Sequence, residues 1–254
     1  MNNLIDIKNL HVGFQTQSKK TTVVRNISFT IPKGKTVALV GESGSGKSVT
    51  ALSILKLLPY PNAFHEQGEI IFQNTNLLSL KEKEIQKIRG KYITSIFQEP
   101  MTSLNPLHTI EKQINEIIML HNFVTYNDAT IKTVELLKQV GLQDISKRLK
   151  AFPHELSGGQ RQRVMIAMSI ANKPNLLIAD EPTTALDVTV QLQILNLLKS
   201  IQKEMGMSML FISHDLSVVK MVADFVCIMK NGFIVEQNTI KNIFLNPQNQ
   251  YTKE

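Results

Sequence analysis

The chain has 254 residues, 43% hydrophobic and 19% charged, long enough to bury one sizeable core or a core with a smaller subdomain. Its formal charge of +7 suggests an anionic partner, but a solvated surface accounts for such an excess equally well, so charge selects no function. A single cysteine, Cys227, excludes an internal disulfide or a cysteine-built metal cluster and fits a reducing cytoplasm.

The setting Phe225-Val226-Cys227-Ile228-Met229 marks that cysteine as a small core residue. The start, Met1-Asn2-Asn3-Leu4-Ile5-Asp6, lacks the basic stretch and apolar block of a signal peptide. No uninterrupted apolar run approaches the roughly 18 to 20 residues that span a bilayer, so work on a membrane would need a partner. No internal repeat or low-complexity linker stands out.

In chain order, Leu4–Ile7, Val12–Phe14 and Val23–Ile31 read as antiparallel strands, closed by Pro32-Lys33-Gly34-Lys35. Phe14, an aromatic at a strand end, is either core or a ring for stacking on adenine. Next, Gly41-Glu42-Ser43-Gly44-Ser45-Gly46-Lys47-Ser48 lies between the apolar run Thr36–Val40 and the helix-like run Val49–Leu55. It fits the phosphate-loop pattern G-x-x-x-x-G-K-[ST] in the required strand-to-helix context. Glycines let several N–H groups converge on one anion, and a helix starting near Gly46 adds the positive end of its dipole. Lys47 would bring a charge to the terminal phosphates and Ser48 a hydroxyl ligand for Mg²⁺.

A strand at Gly68–Phe72 and a solvated helix and turn at Lys81–Lys91 follow. The core strand Tyr92–Phe97 then delivers Gln98 and the segment to Pro106 at its carboxyl end. In open α/β sheets ligands gather there, which places Gln98 to touch the metal or the attacking water. Ile110, Ile114, Ile117 and Ile118, then Ile131, Val134, Leu137 and Val140, recur at helical spacing, so Thr109–Lys150 reads as a helical insertion. After it, Leu156-Ser157-Gly158-Gly159-Gln160 precedes a helix over Arg161–Ala171. Ser157 reads as its N-cap, and the glycines leave N–H groups open as a second anion site. His154 reads as a loop residue, having no partners at metal-ligand spacing.

Asn175–Asp180 is a short buried strand that ends in two carboxylates. Asp180 suits holding Mg²⁺ through water, and Glu181 suits polarising the attacking water. Thr183-Thr184-Ala185-Leu186-Asp187, a helix over Thr189–Glu204 and a strand over Ser208–Ile212 follow. His214 then stands at a third strand end facing the same expected crevice. Asp224–Met229 and Phe233–Val235 form a hairpin with an Asn231-Gly232 turn, closed by a short helix near Ile240–Phe244.

These pieces, in one order, make the chain resemble an ATP-binding cassette (ABC) ATPase over nearly its full length. The carriers are Gly41–Ser48, Gln98, Leu156–Gly159 with Gln160, Leu177–Glu181 and His214. Within that family, Phe97–Pro106 and Glu181–Asp187 look like the peptide and nickel importer branch, above all the amino-terminal half of fused two-cassette ATPases for peptides and microcin C. The resemblance implies an α/β fold: a P-loop NTPase, RecA-like mixed-sheet core with an antiparallel β subdomain and a helical insertion. One domain would span 1–254, with 1–99 and 152–254 as core and β subdomain and 100–151 as helical subdomain.

It also implies roles. Phe14 would stack on adenine, and Gly41, Ser43, Gly44, Ser45, Gly46, Lys47, Ser48 and Val49 would hold the phosphates. Ser48, Gln98 and Asp180 would serve Mg²⁺, Glu181 would be the general base, and His214 the switch at the γ-phosphate. Ser157, Gly158, Gly159, Gln160 and Asp187 would complete the nucleotide site, with Ser157 and Gly159 serving an opposing cassette's ATP. The implied partners are membrane permease subunits, gripped by the helical subdomain and Gln98–Pro106, a second cassette, identical or fused, and, indirectly, an extracytoplasmic solute-binding protein. The implied place is the cytoplasmic face of the inner (plasma) membrane, peripherally bound, and the implied activity is ATP hydrolysis that powers import of peptides or related small solutes.

Two rivals compete. A non-transport cassette acting on DNA or the ribosome would use the positive charge, but no basic stripe with interleaved aromatics supports nucleic-acid binding. A small-molecule kinase would leave Leu156–Gln160 unexplained. The chain departs from its branch in lacking a cysteine-bearing extension, and Asn249 and Gln250 replace His and Pro in the family's Pro-x-His-Pro-Tyr-Thr. Truncation of a two-cassette protein and a short single cassette both fit that ending.

Overall fold

The structure, a computed structural model, describes every residue except Met1, Gln17, Ser18, residues 98–102, Ile145, Ser146, Ala185 and Glu254. Gln98 therefore lies outside the described residues, with residues 99–102 after it. The strands are β1 (Asn3–Gln15), β2 (Lys20–Pro32), β3 (Thr36–Val40), β4 (Ala63–Phe72), β5 (Thr75–Asn76), β6 (Ile93–Ile96), β7 (Leu176–Asp180), β8 (Ser208–Ser213), β9 (Phe225–Lys230) and β10 (Phe233–Thr239). The helices are α1 (Lys47–Ile54), α2 (Glu82–Ile85), α3 (Ile110–His121), α4 (Tyr126–Gln139), α5 (Gly158–Ile170), α6 (Val188–Met205), α7 (Leu216–Val222), α8 (Ile240–Leu245) and α9 (Gln250–Lys253). Contacts divide the chain into two units, Met1–Lys87 with Gly206–Glu254, and Ile88–Met205.

In the first unit, β1 pairs antiparallel with β2 and with β4. Where the sequence suggests two separate early strands, the structure has one long one. The reason is a shift of register between Ile7 and Leu10, at Asn9 with φ 47°. Buried positions run Ile5, Ile7 before the shift and Leu10, Val12 after it, all at most 1% exposed. An irregularity that changes parity keeps the apolar set on one face, at about 1.5–3 kcal/mol for each fully buried Val or Ile.

The other sheet of this unit is mixed: β3 runs parallel to both β8 and β9, and β9 pairs antiparallel with β10. Every residue of β3 and β8 is buried, which is why both read as continuous apolar runs. A parallel link from β8 to β3's other neighbour needs a crossover, and α7 provides one. Its seven residues were not legible as a helix. Asp215 starts it by accepting the Ser217 N–H at 2.7 Å, and the Ser217 hydroxyl bond chiefly holds the Asp215 carboxyl below its usual range. The β9–β10 turn is Asn231-Gly232, with φ 52° and 85°, both left-handed as a two-residue hairpin requires.

In the second unit, β6 and β7 pair in parallel from Ile93↔Leu176 to Ile96↔Ala179. The insertion is helical as its periodicity suggests, with Ile110, Ile114 and Ile118 of α3 buried. Of the expected apolar set, Leu137 of α4 and Val140 just after it are buried at 0%, but Ile131 is 61% exposed and the inner face is completed by Ala129 and Thr133 instead. A polar pair decides this, since the buried Thr133 hydroxyl donates to Asn115 Oδ1 at 2.6 Å.

Candidate functional site

In the first unit the glycine-rich loop leaves β3 and enters α1. Gly44 and Gly46 have φ 79° and 103°, conformations open to glycine without strain, and Gly46 is the helix N-cap. A Cβ on Gly41 would run into the Met229 carbonyl and come within 2.9 Å of Ser45 Oγ. Lys47 is only 6% exposed, and its ammonium donates to the Gly41 and Glu42 carbonyls at 2.7 and 2.9 Å. The charge is thus held inside the curl of its own loop. Ser45 Oγ is buried with no hydrogen-bond partner among the described residues. Leaving a hydroxyl so costs about 1–3 kcal/mol, which a ligand oxygen would relieve. Ser43 and Gly44 are exposed, Ser48 and Val49 half-buried, and the first turn of α1 carries no acidic side chain to repel an anion.

The neighbouring strand ends in register with this loop. Val40 pairs with Ser213, so Gly41 and His214 leave adjacent parallel strands at the same edge. His214 is exposed there. Phe14 lies in β1 opposite Thr21 and Ala63 and is half-buried.

The second unit carries the other candidates. Asp180, the last residue of β7, is 8% exposed. Glu181 follows with φ 47°, a left-handed conformation that costs a non-glycine residue roughly 1–2 kcal/mol. Such strain concentrates at functional sites. The Thr184 hydroxyl donates to Glu181 Oε2 at 3.0 Å, and the Thr184 N–H donates to the Glu181 carbonyl at 3.2 Å. Thr184 therefore orients the carboxylate. Nothing in the sequence singled it out, because a Thr-Thr pair after a carboxylate is common turn material. Asp187 caps α6, accepting the Val190 N–H at 2.9 Å.

Ser157 is an N-cap as expected, but its helix begins at Gly158 and not at Arg161. Gln160 donates its N–H to Ser157 Oγ at 3.3 Å, and its Oε1 accepts the Ser157 N–H at 3.0 Å. This reciprocal box pulls both glycines into the first turn. Ser157 and Gly158 are exposed, so that helix start faces outward. A Cβ on Gly159 would lie 2.8 Å from Val190 Cγ1, so a glycine here lets α6 approach. His154 is an exposed residue of a short 3₁₀ turn, stacked on Phe152 at 5.7 Å.

A buried lysine curled into a glycine loop at a helix start defines a phosphate-loop nucleotide-binding protein. The chain belongs to the ABC transporter family, whose sequence profile matches residues 24–184. It is 58% identical over 250 residues to the peptidoglycan transport ATP-binding protein YejF of Agrobacterium fabrum, covering 98% of this chain and 46% of that relative. It thus spans about half of that protein's length. It is 51% identical over 249 residues to the oligopeptide transport ATP-binding protein OppD of Bacillus subtilis, covering 98% of this chain and 70% of the relative. The fold is that of an ATP-binding cassette: the dimeric post-hydrolysis state of the cassette MJ0796 bound to ADP and Pi superposes with a TM-score of 0.82 at 28% identity, covering 93% of this chain and 98% of that one.

Proposed function

We propose that this chain is the ATP-hydrolysing cassette of a system that imports peptides or related small solutes through a separate membrane permease. The observation that carries the reading is Lys47, buried and aimed at the carbonyls of its own loop, in a loop whose buried Ser45 hydroxyl has no hydrogen-bond partner among the described residues. That arrangement offers a cation, a hydroxyl and a helix start to one polyphosphate. The solute class is supported by relatives named for oligopeptide and dipeptide transport, at 51% and 48% identity.

In this reading Lys47 binds the terminal phosphates, and Gly41, Ser43, Gly44, Ser45, Gly46, Ser48 and Val49 wrap them. Phe14 stacks on adenine. Glu181, oriented by Thr184, takes a proton from the attacking water, while His214 reads the γ-phosphate. Hydroxyl and carboxylate oxygens suit a hard cation, so Ser48 and Asp180, with Gln98, would hold Mg²⁺, which when bound neutralises phosphate charge. Ser157, Gly158, Gly159 and Gln160 form an outward helix start that serves the nucleotide of an opposing cassette, and Asp187, at the start of α6, completes the nucleotide site.

Residues 100–151 act as the helical subdomain that grips the permease together with the Gln98–Pro106 segment. Among the described residues no helix is long and apolar enough to cross a membrane. We place the protein peripherally on the cytoplasmic face of the plasma membrane, with a solute-binding protein acting on the far side. The test is co-purification followed by transport. A permease that travels with the tagged chain and imports peptides only with ATP supports the reading; salt-sensitive binding to DNA or RNA without a permease would favour the nucleic-acid alternative.

A further inference from the structure

The β9–β10 turn touches the phosphate loop, and the hydrogen-bond pattern gives that contact a task. The Gly232 N–H donates to the Ser45 carbonyl at 3.1 Å, and the Gly232 carbonyl accepts the Arg25 N–H at 2.8 Å. Gly232 is thus a relay between β2 and the loop. The approach is too close for a side chain: with φ 85°, a Cβ on Gly232 would run into the Val23 carbonyl and lie 3.3 Å from Arg25 Cγ. The hairpin braces the same loop elsewhere, since the Met229 carbonyl occupies the space a Cβ on Gly41 would need. Gly46 is packed from the β2 side, where its Cβ would meet Val24 Cγ2 at 3.2 Å and the Val23 carbonyl at 3.3 Å. The Arg25 guanidinium over the Phe233 ring, at 5.6 Å, closes the turn against β2.

We infer that Gly232 is a positioning residue for polyphosphate binding, acting through the Ser45-Gly46 peptide. The inference rests on the nucleotide-loop reading above. A trans peptide is planar, so its carbonyl and its N–H point opposite ways. Fixing the Ser45 carbonyl on Gly232 therefore turns the Gly46 N–H away from the hairpin, toward the anion. The same β2 pairs with β1, in which Val12 faces Val24 and Phe14 faces Thr21. One continuous set of backbone bonds thus sets the phosphate loop relative to the aromatic proposed for the base.

The experiment compares ATP with AMP, by calorimetry, on the full chain. AMP lacks the phosphates that the loop would grip, so the ratio of the two affinities reports loop geometry, whereas a general loss of folded protein lowers both alike. Gly232→Ala narrows the ratio about tenfold, the size of one lost hydrogen bond. Asn231→Gly, which keeps the turn and the Gly232 N–H, leaves it unchanged. An unchanged ratio in folded Gly232→Ala overturns the inference. Should that variant not fold, amide exchange on the unaltered chain decides: added ATP slows exchange in the segment around Gly232 if the relay holds, and an unaltered rate overturns it. An unaltered chain with no preference for ATP over AMP would instead overturn the nucleotide reading itself, and the inference with it.

Discussion

The Lys47 ammonium lies 2.7 Å from the carbonyl oxygen of Gly41, six residues back on the same loop. The cation is thereby stored where a polyphosphate would need it, buried and already oriented. Charge held in place binds more tightly than charge that must be ordered on arrival.

The first prediction concerns that charge. Lys47→Ala removes a charge-assisted bond of about 1.5–3 kcal/mol, so ATP affinity falls roughly 10- to 100-fold. Titration of a fluorescent ATP analogue measures it, and unaltered affinity would remove Lys47 from the site.

Glu181→Gln leaves ATP binding intact but lowers turnover by about 10²–10⁴-fold, the usual contribution of a general base. Thr184→Val, which removes the hydroxyl at 3.0 Å from the carboxylate, lowers turnover less and spares ATP affinity. Phosphate release under saturating ATP separates these outcomes. Full turnover in Glu181→Gln would deny it the role of base.

Ser157→Ala removes one arm of the capping box at α5. The expected cost is about 0.5–2 kcal/mol of stability, seen as a lower urea midpoint. Ser157→Asn, which can still cap, restores most of it.

Cys227 gives a prediction in pH. Burial pushes its thiol up to about 12, so the native chain holds almost no thiolate at neutral or mildly alkaline pH. A disulfide reagent at pH 8 therefore reacts slowly with folded protein and at once after denaturation. Because the unfolded thiol ionises first, this group also costs stability as pH rises above its unfolded value. Fast reaction in the native state would mean that β9 opens.

Local chemistry made the phosphate loop legible: Gly44, Gly46 and Lys47 act on neighbours a few residues away, so their order alone reveals them. Buried parallel strands such as β7 were equally plain, being unbroken apolar runs. What escaped depends on partners distant in the chain or on backbone angles. The parity change at Asn9 hides β1 as two strands, and the Thr133–Asn115 bond turns α4 so that Ile131 faces out. The start of α5 shifts because Gln160 folds back on Ser157, where glycines alone suggest a loop. The link between Thr184 and Glu181 needs the left-handed turn that no residue pattern there announces.

The central claim is that each chain supplies the lysine loop for its own ATP and the Ser157 corner for a neighbour's. Mixing tests it most directly. Lys47→Ala and Ser157→Arg chains are prepared separately, then combined, and ATP hydrolysis is measured before and after. At an ATP concentration that fills only an intact loop, the account predicts two inactive parents and a mixture that regains hydrolysis, because one intact site forms in each mixed pair. A mixture as inactive as its parents, or a Ser157→Arg chain that hydrolyses ATP alone at the full rate, would contradict it.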